Sequence, residues 1–337
     1  MPHSDRSLLP LKHVWLAAIP LFPLIFGAVF LGSLISPGEH LSFLTIYPFD
    51  YLGKTAREFT HLGDMLIYSS FVSVHVVICV GVIVYLANMI RNLPLRARRS
   101  AVVFTGVVAL SLICLISYFA WKANDLAIVQ LGYKSICMAI EMADLSTNLA
   151  SKCFDPGGFT TLTWLAWVPA FSGMGAVVFA AGFAYGNADD LPAFKDAEWR
   201  TVFNKRVSGL QKSLYALSMV LVSSTIAITM FAHLPAGLLN NSHGLATAVS
   251  KYAIGLSTFW GALFTLTLAA TYVAPTFLLL RQAYVHQSRN AGAVDLRAWL
   301  HEHVFISIRK QLVNVASLLA PLLVGPLSSL LTSFAGA

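Results

Sequence analysis

The chain is short of charge. Only 11% of its 337 residues are Asp, Glu, Lys or Arg, against about 25% in an ordinary soluble domain. The shortage is concentrated in stretches 14–35, 65–90, 101–121, 161–185, 213–235 and 256–280, which hold no Lys, Arg, Asp or Glu at all. Each has at least 21 residues and is mostly apolar. At 1.5 Å per residue each is long enough for a hydrocarbon core of about 30 Å. A soluble fold is excluded. With 57% hydrophobic residues and a mean hydropathy of +0.72, the composition specifies an all-α, polytopic membrane protein with six spans.

Other absences narrow the chemistry. The chain has no GxxxxGK[ST], GxGxxG after a strand, HExxH, CxxC or GxSxG, so the usual nucleotide, zinc-protease, redox and hydrolase signatures are missing. No catalytic residue, cofactor or metal is expected, and no nucleic-acid motif is present. His301 and His303 flank Glu302, but i and i+2 diverge by about 200° on a helix and do not share a metal. Carboxylates and basic groups are missing from the span interiors. Proton-coupled pumps need such relays, which weakens a transporter reading. The two halves of the chain show no repeat of the inverted-topology kind.

Basic residues set an orientation. With the N-terminus cytoplasmic, the inner segments carry 16 Lys and Arg and the outer ones 6, for net charges of +9 and −2. Trp15, Trp121, Trp164 and Trp260 fall near span ends, as an interfacial aromatic belt requires. The expected location is the inner cell membrane. The first apolar run is too long for a cleaved signal peptide, and Pro20 and Pro23 should bend it.

Residues 1–290 are expected to form the membrane domain. It includes an outer helical arm over 122–160, where Leu126, Val129, Tyr133, Ile136, Ile140 and Leu145 recur near helical spacing before Pro156-Gly157-Gly158. Residues 291–337 read as a cytoplasmic amphipathic helix, roughly 295–320, with an apolar tail. Leu296, Leu300, Val304, Ile308 and Leu312 recur at i, i+4, and Pro321 and Pro326 argue against a seventh span, which remains the alternative. An inner helix over 186–212 should bury Trp199, Phe203, Val207 and Leu210.

Four cysteines are present. Cys79 and Cys114 sit within spans and read as packing. Cys137 and Cys153 share the outer arm and are disulfide candidates, provided that the outside is oxidising and the geometry fits.

Among what is present, His75 is the one ionisable group deep in a span apart from thiols and tyrosines. Intramembrane ionisable residues are functional candidates by default. A haem reading needs a second axial partner at its depth. His75 lies about 16 Å inward from Asp64, whereas His233 lies about 31 Å past Lys212, so the pair is mismatched. The reading kept is a neutral histidine bonded to a neighbouring helix. Ser218, Thr225 and Thr229 on the fifth span, with Thr258 and Thr265 on the sixth, read either as a pore wall or as helix contacts. Ala176, Ala180 and Ala184, and the pair Gly182 and Gly186, form small-xxx-small ridges that bring helices close. Their partner lies either within the chain or in another subunit. The inner basic residues read as topology plus attraction to anionic lipid. A second reading is a site for an acidic cytoplasmic ligand built from Arg96, Arg98, Arg99, Lys205 and Arg206.

By elimination these observations point to a gated, homo-oligomeric channel or pore, with a membrane-permeabilising effector as one form. The rivals are a non-catalytic membrane anchor or sensor subunit holding a protein partner, and a small-solute transporter.

Overall fold

The computed structural model describes residues 19–23, 25–26, 54–121, 161–188, 196–234, 245–291 and 308–335. Among the described residues there is no strand. Six long helices carry the fold: α1 (Lys54–Arg91), α2 (Leu95–Trp121), α3 (Thr161–Asn187), α4 (Asp196–His233), α5 (Leu245–Ala291) and α6 (Ile308–Ala335). Five contain windows long and apolar enough to cross a membrane: Leu66–Arg91, Leu95–Cys114, Val168–Asn187, Thr201–His233 and Ser250–Val285. These are the last five of the six expected spans. Most of the first, 14–35, lies outside the described residues, as does the arm over 122–160 with Cys137 and Cys153. The protein is a membrane-embedded helical bundle.

Side-chain pairings fix the helix directions. His75 meets Ser223, and Tyr68 meets Phe231, so α1 and α4 are antiparallel. Asn187 meets Arg206, and Gly173 lies beside Ser224, so α3 and α4 are antiparallel too. Gly186 abuts Ala101, and Tyr185 stacks on Phe104, which sets α2 against α3. Ser213 bonds Tyr272, which sets α5 against α4, and Gln282 bonds Ala188 at the end of α3, level with Arg206 of α4, so α4 and α5 are antiparallel. The ends of α1, α3 and α5 and the starts of α2, α4 and α6 therefore share one end of the bundle, and the described basic segments 91–99, 196–212, 281–291 and 308–310 fall there.

The core is a seam of small and aliphatic side chains. Ala176, Ala180 and Ala184 of α3 are fully buried in one cluster with Cys79, Val82 and Leu86 of α1 and Leu210, Leu217 and Leu221 of α4. Gly182 and Gly186 face the other way, onto α2 at Ala101 and Thr105. Both small-residue ridges thus find their neighbours within the chain. Trp199 and Phe203 stack in parallel at 5.3 Å and join the same core as Leu279 and Ala283 of α5, so the amphipathic start of α4 packs on the end of α5. Leu21 of the first span packs with Phe104, Val108 and Tyr185, against α2 and α3.

The expected C-terminal helix starts, in its described part, after most of the predicted stripe; 295–307 lie outside the described residues. Its described part begins at Ile308 and runs through Pro321 and Pro326 to Ala335. It lies alongside α4 and α5. Tyr215 donates to Asn314 Oδ1 at 2.7 Å and Ser218 to the Ser317 carbonyl at 2.6 Å, so α6 is parallel to α4. Gly261 of α5 lies directly on the Pro321 carbonyl. The prolines fit because a proline nitrogen leaves only the carbonyl one turn back without its donor, and neighbouring helices can satisfy such carbonyls inside a membrane. Ser218 does this for Ser317, four residues before Pro321.

Candidate functional site

Two places collect the polar groups singled out in the sequence. The first is inside the bundle. His75 is fully buried where α1, α3 and α4 meet. Its Nε2 lies 3.1 Å from the Pro169 carbonyl and its Nδ1 2.7 Å from Ser223 Oγ. A carbonyl only accepts, so Nε2 carries a proton. In the neutral ring Nδ1 then accepts from the Ser223 hydroxyl. The single Ser223 proton is shared between Nδ1 and the Val220 carbonyl at 2.8 Å, and the Pro169 carbonyl has a second donor, Ser172 at 3.0 Å. Cys79 Sγ sits 3.4 Å from Nε2, one helical turn along α1. The imidazole is a three-helix clasp whose partners are 94 and 148 residues away in sequence.

Both ring nitrogens are turned to protein partners. His233 lies on α4 ten residues beyond Ser223, about 15 Å along the axis from the level of His75. The two histidines do not form an axial pair. Among the described residues no three His, Cys, Asp or Glu side chains converge as a metal site.

The hydroxyl rows are closed. Thr225 and Thr229 are fully buried and donate to the carbonyls one turn back, Leu221 at 2.9 Å and Thr225 at 2.8 Å. Thr258, Thr267 and Thr271 of α5 do the same at 2.7–2.9 Å. Ser218 is spent on α6. Within one chain all of these but the half-buried Thr258 face protein, and each hydroxyl proton is used locally. Thr265 Oγ1 is buried without a hydrogen-bond partner among the described residues.

The second place is the basic end. Arg96, Arg98 and Arg99 stand on the first turns of α2, next to Ala101, which abuts Gly186. Lys205 and Arg206 stand on α4 at the level of Asn187. The fold therefore brings together two clusters that are about a hundred residues apart. Their side chains diverge, however. Arg206 is buried and donates to the Asn187 carbonyl at 3.1 Å, while the Asn187 amide donates to the Arg206 carbonyl at 2.8 Å. Gln282 donates to the Ala188 carbonyl at 3.0 Å. These bonds satisfy carbonyls at the α3 C-terminus, where a cation is also favoured by the helix dipole. Arg206 is thus a strut between helices, while Arg96, Arg99 and Lys205 are exposed and Arg98 is half-buried. At the opposite end of α1, burial pushes the Asp64 carboxyl above its usual range.

No protein-family model, curated protein or solved structure matches this chain.

Sequence reasoning missed Ser223 and Pro169 as partners of His75, and Asn187 and Gln282 as partners of the basic end. A proline inside a span was the available signal for the first. It is only a partial signal: the missing amide frees the carbonyl of Leu165, one turn back, whereas His75 reaches the carbonyl of Pro169 itself.

Proposed function

We propose that the protein is a non-catalytic membrane anchor or sensor subunit, with the basic end as its working face. One observation carries this reading. The helices α4 and α5 are continuous over 38 and 47 residues, about 57 and 70 Å, roughly twice the hydrocarbon thickness. At the basic end the two helices are joined through Trp199, Phe203, Leu279 and Ala283. The joined end is a mount for a protein partner, and α4, which has no proline inside it, connects it directly to the clasp around His75, whereas α5 has Pro275 inside it.

A channel remains the second reading, with its path between copies of the chain. A path between α4 and α5 of a single chain is disfavoured by the closed hydroxyl rows. Planar-bilayer recording from purified protein, with its oligomeric state measured in mild detergent, separates the two. The anchor reading expects no unitary current from well-folded protein, and reproducible unitary currents would replace it with the channel. Thr225→Trp and Thr229→Trp test the same point. They are expected to lower the unfolding temperature and impair assembly, because a fully packed interface absorbs no added ring.

We also read α6 as a seventh crossing. Residues 311–335 carry no charge. From Ser317, level with Ser218, α6 has 18 residues left to Ala335, and α4 needs 15 to reach His233. A reporter fused after Ala337 should therefore read opposite to one inserted at Pro94. Same-side readouts would return α6 to the inner face.

A further inference from the structure

Three helices end their exposed apolar stripes on an exposed arginine, at one end of the bundle. On α1 the exposed positions Val77, Gly81, Val84 and Asn88 lead to Arg91. On α2, Ile113, Leu110, Gly106 and Val102 lead to Arg99, and on α5, Leu266, Val273 and Phe277 lead to Arg281. The steps of three, four and seven residues keep each series on one helix face. Core contacts fix the level. Ile90 packs with Ala101 and Phe183, Gly186 abuts Ala101, and Gln282 bonds Ala188. Each arginine is within two residues of one of these contacts, which span Phe183 to Ala188 on α3, so all three lie at the same end of the bundle within about 8 Å along its axis.

We propose that Arg91, Arg99 and Arg281 form a collar that binds the phosphate headgroups of anionic phospholipids in the leaflet at the basic end. The faces bearing them are apolar over two turns or more, so acyl chains cover those faces. A guanidinium at the end of such a face meets the headgroup of the lipid whose chains lie below it. Its fork of donors matches phosphate oxygens. The arginines point outward from three separate helices and do not converge, which suits several lipids around the perimeter better than one soluble anion. Lys205, exposed on α4 beside Arg206, extends the collar. Arg206, turned inward, does not take part.

The test uses the full chain in an uncharged detergent. Thermal unfolding is followed with added phosphatidylcholine, with phosphatidylglycerol, and with inorganic phosphate at matched concentration. Phosphatidylglycerol should raise the unfolding temperature, and the other two should not. The triple variant Arg91→Gln/Arg99→Gln/Arg281→Gln should lose most of that rise, with apparent lipid affinity roughly fivefold lower per arginine removed. The triple Lys variant, which keeps the charge, should retain at least part of it, and guards against a folding defect in the Gln variant. The number of retained phosphatidylglycerol molecules in native mass spectrometry should fall in parallel. A full rise in the Gln variant would overturn the proposal. An equal effect of inorganic phosphate would replace the lipid collar with a free-anion site.

Discussion

Replacing Gly186 by leucine should abolish folding, and Gly186→Ala should already destabilise the bundle by about 1–3 kcal/mol or more. A β-carbon at Gly186 would run into the Ala101 methyl and sit 2.8 Å from its Cα and 2.9 Å from its nitrogen. Two of these three atoms are backbone, so relief requires moving α2 bodily away from α3. Gly182→Ala is the milder companion. Its β-carbon would collide with Thr105 Oγ1 and approach the Ala101 carbonyl oxygen at 3.0 Å. The Thr105 side chain can rotate, at the cost of its 2.8 Å bond to that same carbonyl. The control lies on the same helix pair. Gly106 has nothing within 4 Å of where its β-carbon would be, so Gly106→Ala should be neutral or stabilising by up to about 1 kcal/mol, through helix propensity alone. Unfolding temperatures in detergent for the three variants check the ordering. A Gly186→Ala protein as stable as Gly106→Ala would mean that α2 and α3 do not pack as described.

How much of this was legible in the sequence follows from which forces act locally. Charge-free runs such as 65–90 and 213–235 announce helices in a membrane because a charge in hydrocarbon is costly at any position. The alternation of basic loops placed 91–99, 195–212 and 281–310 together before any contact was known. Partners were not legible. The ridge Gly182/Gly186 shows that something approaches closely, but whether it is Ala101 of the same chain or a second copy depends on the whole packing. Thr225 and Thr229 look identical in sequence whether they wall a pore or bond their own backbone, because position on a helix face does not say where a hydroxyl proton goes. Where the C-terminal helix docks was not legible either. An apolar stripe from Leu296 to Leu312 and two prolines suit a surface helix, yet Asn314, Ser317 and Gly261 supply the polar and close contacts that dock it within the bundle.

His75→Leu should be the most damaging single change among the polar residues of the bundle interior, costing about 2–4 kcal/mol. Leucine roughly fills the volume but bonds neither Pro169 nor Ser223, so it separates the loss of hydrogen bonds from the loss of bulk. The partners are not orphaned, because Pro169 still accepts from Ser172 and Ser223 still donates to Val220. The cost is therefore the lost connection between helices, together with the misfit of a branched chain beside Gly173, whose own β-carbon would stand only 3.3 Å from Ser224 Oγ. His75→Gln should recover part of the stability, since one amide can donate to the Pro169 carbonyl and accept from Ser223. Ser223→Ala should cost less than His75→Leu, about 1 kcal/mol, because it removes one of the two bonds and leaves the imidazole clasped to Pro169. Double-mutant analysis with Ser223→Ala then reads the coupling directly. If His75→Leu and Ser223→Ala add without interaction energy, the 2.7 Å contact contributes nothing to stability, and the His75 clasp does not tie α1 to α4.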